Sequence, residues 1–371
     1  MPIHESLITP TANPELERQL RERLARHAAI AGGFGQLEAL ALRLGLMQAN
    51  LTPRFRDPVL ALFAADHGLA VEGLPQPFGR PSHEQALLAL QSRLPAAVIA
   101  RLHGLQLLVV DCGLSAELAP HPKLLLRKVA HGTRNSRIGL AMQPSQVQSA
   151  LRVGMELADS LSGNVMVLAG MGQGSQECAA LLLARLDARH LADLLPPTSP
   201  PALHELLQTT LNRHRDALDA MDALAAFGGF EIAVMVGAML VGASKRKLLL
   251  VDGLAACAAL RVAASIAAPV TDYAVFCRSN DEPGLDAALH GFKAGALLEL
   301  GLQTTDGMGA ALSWPLLRSA AALLSEVHEG APAPFLPNSG PMPLMDARDT
   351  VTTEALPIEE RPRPPEGSIL L

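Results

Sequence analysis

Apolar residues recur every four positions in the stretch 14–30, where Leu16, Leu20 and Leu24 stand among charged neighbours. That spacing puts them on one face and predicts an amphipathic helix. The turn Gly32-Gly33-Phe34-Gly35 follows, and a second helix is expected from about 37 to 48, stopped by Asn50 and Pro53. Beyond it the pattern changes. Short unbroken apolar runs at 59–65, 105–110, 165–169, 248–251 and 273–277 alternate with longer helical stretches such as 145–162, 178–188 and 232–242. A run without alternation is apolar on both faces, which a parallel strand covered by helices on each side requires. The expected fold is therefore α/β, a Rossmann-like parallel sheet flanked by helices that supply the crossovers.

A polar, glycine-containing loop at 303–309 precedes an Ala- and Leu-rich helix at 312–328. That helix is expected to return beside the N-terminal pair, making a small helical lobe from both chain ends. The organisation expected is residues 1–56 as the lobe's N-terminal helices, 57–307 as the large α/β domain and 308–345 as the returning segment. Residues 346–371 mix Pro with Glu and Arg and are expected to be a flexible tail. The proline-rich stretch at 195–201 is expected to be a loop.

Composition narrows the function classes. Of the 371 residues, 49% are apolar and 18% charged, ample for a large buried core. The net charge of −6 is spread along the chain, with no basic stripe for a nucleic-acid backbone and no polybasic patch for a membrane surface. Lys245-Arg246-Lys247 reads as a solvated turn. The apolar stretch 248–270 is interrupted by Asp252, Gly253 and Arg261 and closed by Pro269, so it reads as a buried strand, loop and helix rather than a membrane span. Cys112, Cys178, Cys257 and Cys277 form no C-x-x-C pair and are expected as buried free thiols in a cytoplasmic chain, without a metal. No signal peptide is expected.

In an open parallel sheet, ligands bind beyond the carboxyl ends of the strands, where loops and helix N-termini converge. Three such ends stand out. Phe63-Ala64-Ala65-Asp66-His67-Gly68 delivers a carboxylate, an imidazole and a glycine together. The run from Val167 through Gly170-Met171-Gly172-Gln173-Gly174-Ser175 places alternate glycines before an apolar helix, where backbone N–H groups and the helix dipole favour an anion. Leu250-Val251-Asp252-Gly253 is the third. Read singly, Asp-Gly is an ordinary turn, a lone histidine is ordinarily structural, and the glycine spacing misses the dinucleotide fingerprint. None of them alone names a function.

Taken in order, these segments resemble the nicotinate-nucleotide–dimethylbenzimidazole phosphoribosyltransferases. Gly33-Phe34-Gly35-Gln36-Leu37-Glu38 resembles that family's early G-x-L-G-x-L-E helix start, and Ala64-Ala65-Asp66-His67-Gly68 its A-A-D-H-G strand end. His131-Gly132-Thr133-Arg134-Asn135 is similar to its G-T-x-N loop. Gly228-Gly229-Phe230-Glu231-Ile232-Ala233 matches its G-G-F-E-I-A helix start, Val251-Asp252-Gly253 its D-G-F strand end, and Arg278-Ser279 with Glu282-Pro283-Gly284 its R-S-A-E-P-G loop. The resemblance implies a homodimer that needs no metal or other cofactor. It implies transfer of the phosphoribosyl group of nicotinate mononucleotide to an aromatic base, dimethylbenzimidazole, giving α-ribazole phosphate for the lower ligand of cobalamin. The substrate-binding positions it implies are Asp66, His67, Gln85, Gly170, Met171, Gly172, Gly174, Ser175, Gly228, Gly229, Phe230, Glu231, Asp252, Ser279 and Leu302.

The sequence departs from the family pattern at chemistry-bearing positions. The family's catalytic glutamate lies in an L-G-E-G-x-G-A loop, and the matching residue in Thr305-Asp306-Gly307-Met308-Gly309-Ala310 is Asp306. Gly170 stands where the family has a second active-site glutamate. Glu177 adds a carboxylate near the expected phosphate position, and the stretch 195–203 replaces the family's G-R-G-T-G loop. A second reading follows from these departures: a chain that keeps the fold without turnover, serving as a binding protein or as the heterodimer partner of a competent homologue. A dinucleotide-dependent oxidoreductase is disfavoured by the glycine spacing.

Overall fold

The computed structural model describes residues 7–76, 79–279, 283–303 and 307–327. The candidate base Asp306 and the expected tail lie outside the described residues.

The amphipathic start folds as α1 (Pro14–Ala31), opened by Asn13, whose side chain accepts from the Leu16 amide at 3.0 Å, with Pro14 in the first turn. It leads to α2 (Gln36–Gln48) and then the first strand, β1 (Val59–Ala65), buried along its whole length. Next come α3 (Ser82–Leu90), α4 (Pro95–Leu102), β2 (Gln106–Gly113), β3 (Leu124–Leu126) and α5 (Pro144–Ser160). The second half runs β4 (Val165–Met171), α6 (Ser175–Leu186), α7 (Pro201–Arg213), α8 (Ala220–Phe227) and α9 (Phe230–Ser244). It continues with β5 (Leu248–Asp252), α10 (Leu254–Ile266), β6 (Ala274–Phe276) and β7 (Arg278–Ser279). The last elements among the described residues are α11 (Pro283–Gly291), β8 (Leu298–Glu299) and α12 (Met308–Ser325).

The main sheet has six strands, all parallel, in the order β3-β2-β1-β4-β5-β6; β7 and β8 pair separately. This is the Rossmann order. Successive strands run outward to β3 on one side of β1, then return and run outward to β6 on the other, so the order reverses between β1 and β4. The helices leaving these two strands diverge there and open a crevice at their carboxyl ends. Helix α9 crosses β1, β2, β4 and β5 with α5 packed along it, while α12 packs on α1, α2 and α4. His27, fully buried on α1, hydrogen-bonds through Nδ1 to the Leu323 carbonyl of α12 at 2.9 Å.

Two expectations are corrected. Lys245-Arg246-Lys247 is not a solvated turn: Arg246 donates to the Leu46 and Met47 carbonyls at 2.9 Å, and buried Lys247 donates to the Leu161 carbonyl. Both cations cap the ends of helices, where unpaired carbonyls concentrate negative charge. The proline-rich stretch is a loop only up to Pro200, because Pro201 opens α7, a position where a proline's missing N–H costs nothing. The 248–270 stretch is β5, α10 and the turn after it, and among the described residues no helix is long and apolar enough to cross a membrane. All four cysteines are buried and unbridged.

Candidate active site

Two of the three strand ends singled out from the sequence, those of β1 and β4, meet around the reversal point. His67 leaves β1 with its imidazole fully buried, and its Nε2 lies 2.8 Å from Oε1 of Glu231, one residue into α9. The same carboxylate oxygen accepts from the Ser175 hydroxyl, at the start of α6, also at 2.8 Å. Burial by itself lowers the His67 pKa; the neighbouring Cys178 sulfur and the Glu231 carboxylate override it and hold the pKa well above 6.5. One buried cluster thus joins the exits of β1 and β4 to the N-terminus of α9.

The turn between β4 and α6 is built on glycine. Gly172 has φ +152°, and a Cβ there would lie 1.7 Å from the Ala65 carbonyl oxygen of β1; Gly174 has φ +87°. Within the turn, the Gln173 carbonyl accepts from the His67 amide at 3.2 Å, and the Gln173 amide donates to the Ser82 hydroxyl at 2.9 Å. Its side chain donates to the Leu74 carbonyl at 2.8 Å. Ser82 opens α3, and buried Gln85, one turn further on, donates to the Arg80 carbonyl at 3.2 Å. Helix α3 is thereby brought to the rim beside the glycine turn.

Asp66 also lies at this rim. Its Oδ2 accepts from the Ser115 amide at 2.8 Å and the Ser115 hydroxyl at 2.6 Å. Lys128 braces the same loop, donating to the Leu114 and Ala116 carbonyls at 2.8 and 2.9 Å and lying 3.4 Å from Asp111. Gly68 donates to the Thr133 hydroxyl at 3.1 Å, docking the 131–135 loop against the end of β1. Phe230 is fully buried, and a Cβ on Gly113 would lie 2.7 Å from its ring. Gly228 and Gly229 carry the chain into α9 beside it, and Met171 ends β4 almost wholly buried.

A second buried group sits under β5 and β6. Asp252 accepts from Arg278 Nε at 2.7 Å and from the Ala310 amide of α12 at 2.9 Å, and Arg278 donates to the Leu302 carbonyl at 2.9 Å. What Asp252 holds is therefore the start of α12, and the Leu302 carbonyl is engaged by Arg278. Ser279, the next residue, lines a cleft of about 550 Å³ with Asp286, His290 and Glu299. A cleft of about 620 Å³ opens between Glu72, Arg137 and Leu206.

The structure explains one departure. A Cβ on Gly170 would lie 2.7 Å from the Ala255 methyl of α10 and 3.4 Å from Met235, so no glutamate fits there unless α10 withdraws. Glu177 is half-buried in the first turn of α6; burial raises its pKa, against the opposing pull of its own amide and of His67. Arg278, Ser82, Ser115 and Gln173 were not among the expected site positions. Arg278 was legible only as part of the R-S segment, and Ser82 and Ser115 carried no signal, since their partners are distant in sequence.

Comparison with known proteins gives one answer. A model of the family described as "Phosphoribosyltransferase" matches residues 9–334. The nicotinate-nucleotide–dimethylbenzimidazole phosphoribosyltransferase of Cupriavidus taiwanensis is 40% identical over 305 residues, covering 80% of this chain and 88% of the relative. That of Variovorax paradoxus is 37% identical over 318 residues, covering 84% and 91%. The solved structure of the Thermus thermophilus enzyme of that name superposes with a TM-score of 0.77 at 28% identity, covering 84% of this chain and 96% of that one. With the family match spanning most of the chain and relatives of this identity, the chain belongs to the phosphoribosyltransferase family of the nicotinate-nucleotide–dimethylbenzimidazole type.

Proposed function

We propose that this chain moves the phosphoribosyl group of nicotinate mononucleotide to dimethylbenzimidazole or a related aromatic base, releasing nicotinate. The observation that carries the reading is the convergence of the family's two most specific segments, through the His67–Glu231 contact, at the reversal point of the sheet. The donor's pyridinium is already a good leaving group, so the C1′–N bond breaks with its electron pair on the pyridine nitrogen and no acid is needed. One benzimidazole nitrogen attacks C1′ from the opposite face and forms the new bond. The proton on the other nitrogen passes to a carboxylate.

Asp306 is the residue we assign to that carboxylate, with the Gly172–Ser175 turn and α6 facing the donor and Gln85 on the side of the base. An aspartate sets its carboxylate back by one methylene, on the order of 1 Å, and misplacement of that size costs roughly a hundredfold in rate unless the backbone compensates. We place the chain in the cytoplasm and take its working state to be a homodimer, the latter checked by sedimentation of the purified chain.

The test is to incubate the purified chain alone with nicotinate mononucleotide and a panel of benzimidazoles and to follow nicotinate by chromatography. Turnover that falls at least a hundredfold in Asp306→Asn and survives in Asp306→Glu supports the reading. Turnover unchanged in Asp306→Asn removes the base assignment. No turnover with any acceptor removes the function and favours the partner-subunit reading.

A further inference from the structure

Two of the side chains expected at the ligand, His67 and Glu231, are wholly buried, with no exposed side-chain surface. They come from positions 164 residues apart and meet at 2.8 Å, and Glu231 simultaneously accepts from Ser175 at 2.8 Å. The surroundings are shaped to this pair. A Cβ on Gly229 would lie 2.2 Å from both His67 Cε1 and Glu231 Oε2, and one on Gly174 would lie 2.9 Å from His67 Cβ. Two glycines, one before α9 and one before α6, are thus pressed against the same histidine. The His67 amide in addition holds the Gln173 carbonyl at 3.2 Å.

We propose that His67 and Glu231 are positioning residues: they fix the Gly172–Ser175 turn in the shape that receives the donor, and neither touches a ligand. The inference rests on the phosphoribosyl transfer proposed above and deepens it. The turn is tied at Ser175 by Glu231, at Gln173 by the His67 backbone and Ser82, and at Gly174 by packing on the His67 side chain. The Ser175 hydroxyl is spent on Glu231, the Gln173 amide on Ser82 and the Ser175 amide on the Gly172 carbonyl, so the turn meets a ligand through the Gly174 amide, whose direction the pair sets. Interactions that orient a binding turn without joining the chemistry change donor affinity and leave the bond-making step alone.

The experiment compares Glu231→Gln, Ser175→Ala and Ser175→Thr with wild type in kcat, donor KM and acceptor KM. Glu231→Gln keeps the shape and one acceptor oxygen but removes the charge. The expected result is a donor KM raised about tenfold or more, equivalent to about 1.4 kcal/mol, with kcat and acceptor KM within about twofold. Ser175→Ala raises donor KM in the same direction, and Ser175→Thr, which restores the hydroxyl, returns it toward wild type.

Leu157→Ala, in the last turns of α5 before β4, serves as a destabilised control at the opposite end of the sheet and leaves donor KM unchanged. Donor KM unmoved in Glu231→Gln, or raised equally in Leu157→Ala, overturns the proposal. Amide hydrogen exchange at Gln173–Gln176 reads the same claim without turnover. Exchange at least tenfold faster in Glu231→Gln supports it even if the wild type proves to transfer nothing, and unchanged exchange overturns it.

Discussion

Replacing Arg278 by methionine isolates the cluster beneath β5 and β6. Asp252 is fully buried and is met at 2.7 Å by Arg278 Nε and at 2.9 Å by the Ala310 amide. The substitution keeps much of the side chain's length but leaves a carboxylate buried with its countercharge gone and takes a donor from the Leu302 carbonyl. Removing one member of a buried pair costs about 3–5 kcal/mol, because the remaining carboxylate keeps the Ala310 amide but has neither countercharge nor water. Adding Asp252→Asn removes that stranded charge and keeps an acceptor for Ala310, so the double variant should recover more than half of the loss.

Urea unfolding followed by Trp314 fluorescence measures both. Trp314 is the only tryptophan and lies on α12, the helix whose start Asp252 holds. A loss below about 1 kcal/mol in Arg278→Met, or no coupling in the double-mutant cycle, would refute the argument that this pair supports α12.

Gly229→Ala drives a methyl into His67 and Glu231 at 2.2 Å and is expected to destabilise by about 1–3 kcal/mol. Gly139→Ala, with nothing within 4 Å, should stay within about 0.5 kcal/mol in the same denaturation assay. The folded pKa of His67 is raised above 6.5, so the stability it adds is complete below about pH 6.5 and is lost as pH rises through the folded value. His67→Gln should therefore cost most near pH 6 and progressively less in alkali; a cost that grows with pH contradicts the charged pair.

Much of the fold was legible because a parallel strand buried on both faces leaves an unbroken apolar run. The runs at 59–65, 165–169 and 248–251 became β1, β4 and β5 with at most two residues of change. Strand β3 was invisible, since Leu124–Leu126 is three residues between charged neighbours and shows no period. Helix α7 was hidden because prolines that break a helix interior are welcome at its start.

At the site, the glycine turn and the D-H-G end could be placed at the rim from sequence, but the burial of their side chains could not. The contact of His67 with Glu231 spans 164 residues, and that of Arg278 with Asp252 spans 26. No local pattern encodes either. Likewise Gly170 read as a lost glutamate, and only the Ala255 methyl of α10 shows why the position is closed.

The central claim is that the donor sits where the strand order reverses. A crystal of the chain grown with nicotinate mononucleotide tests this most directly. The account predicts the ribosyl phosphate between the ends of β1 and β4, within hydrogen-bond distance of the Gly174 amide, with His67 and Glu231 still paired beneath it. Donor density in the cleft between Glu72, Arg137 and Leu206, with the turn bare, would contradict it.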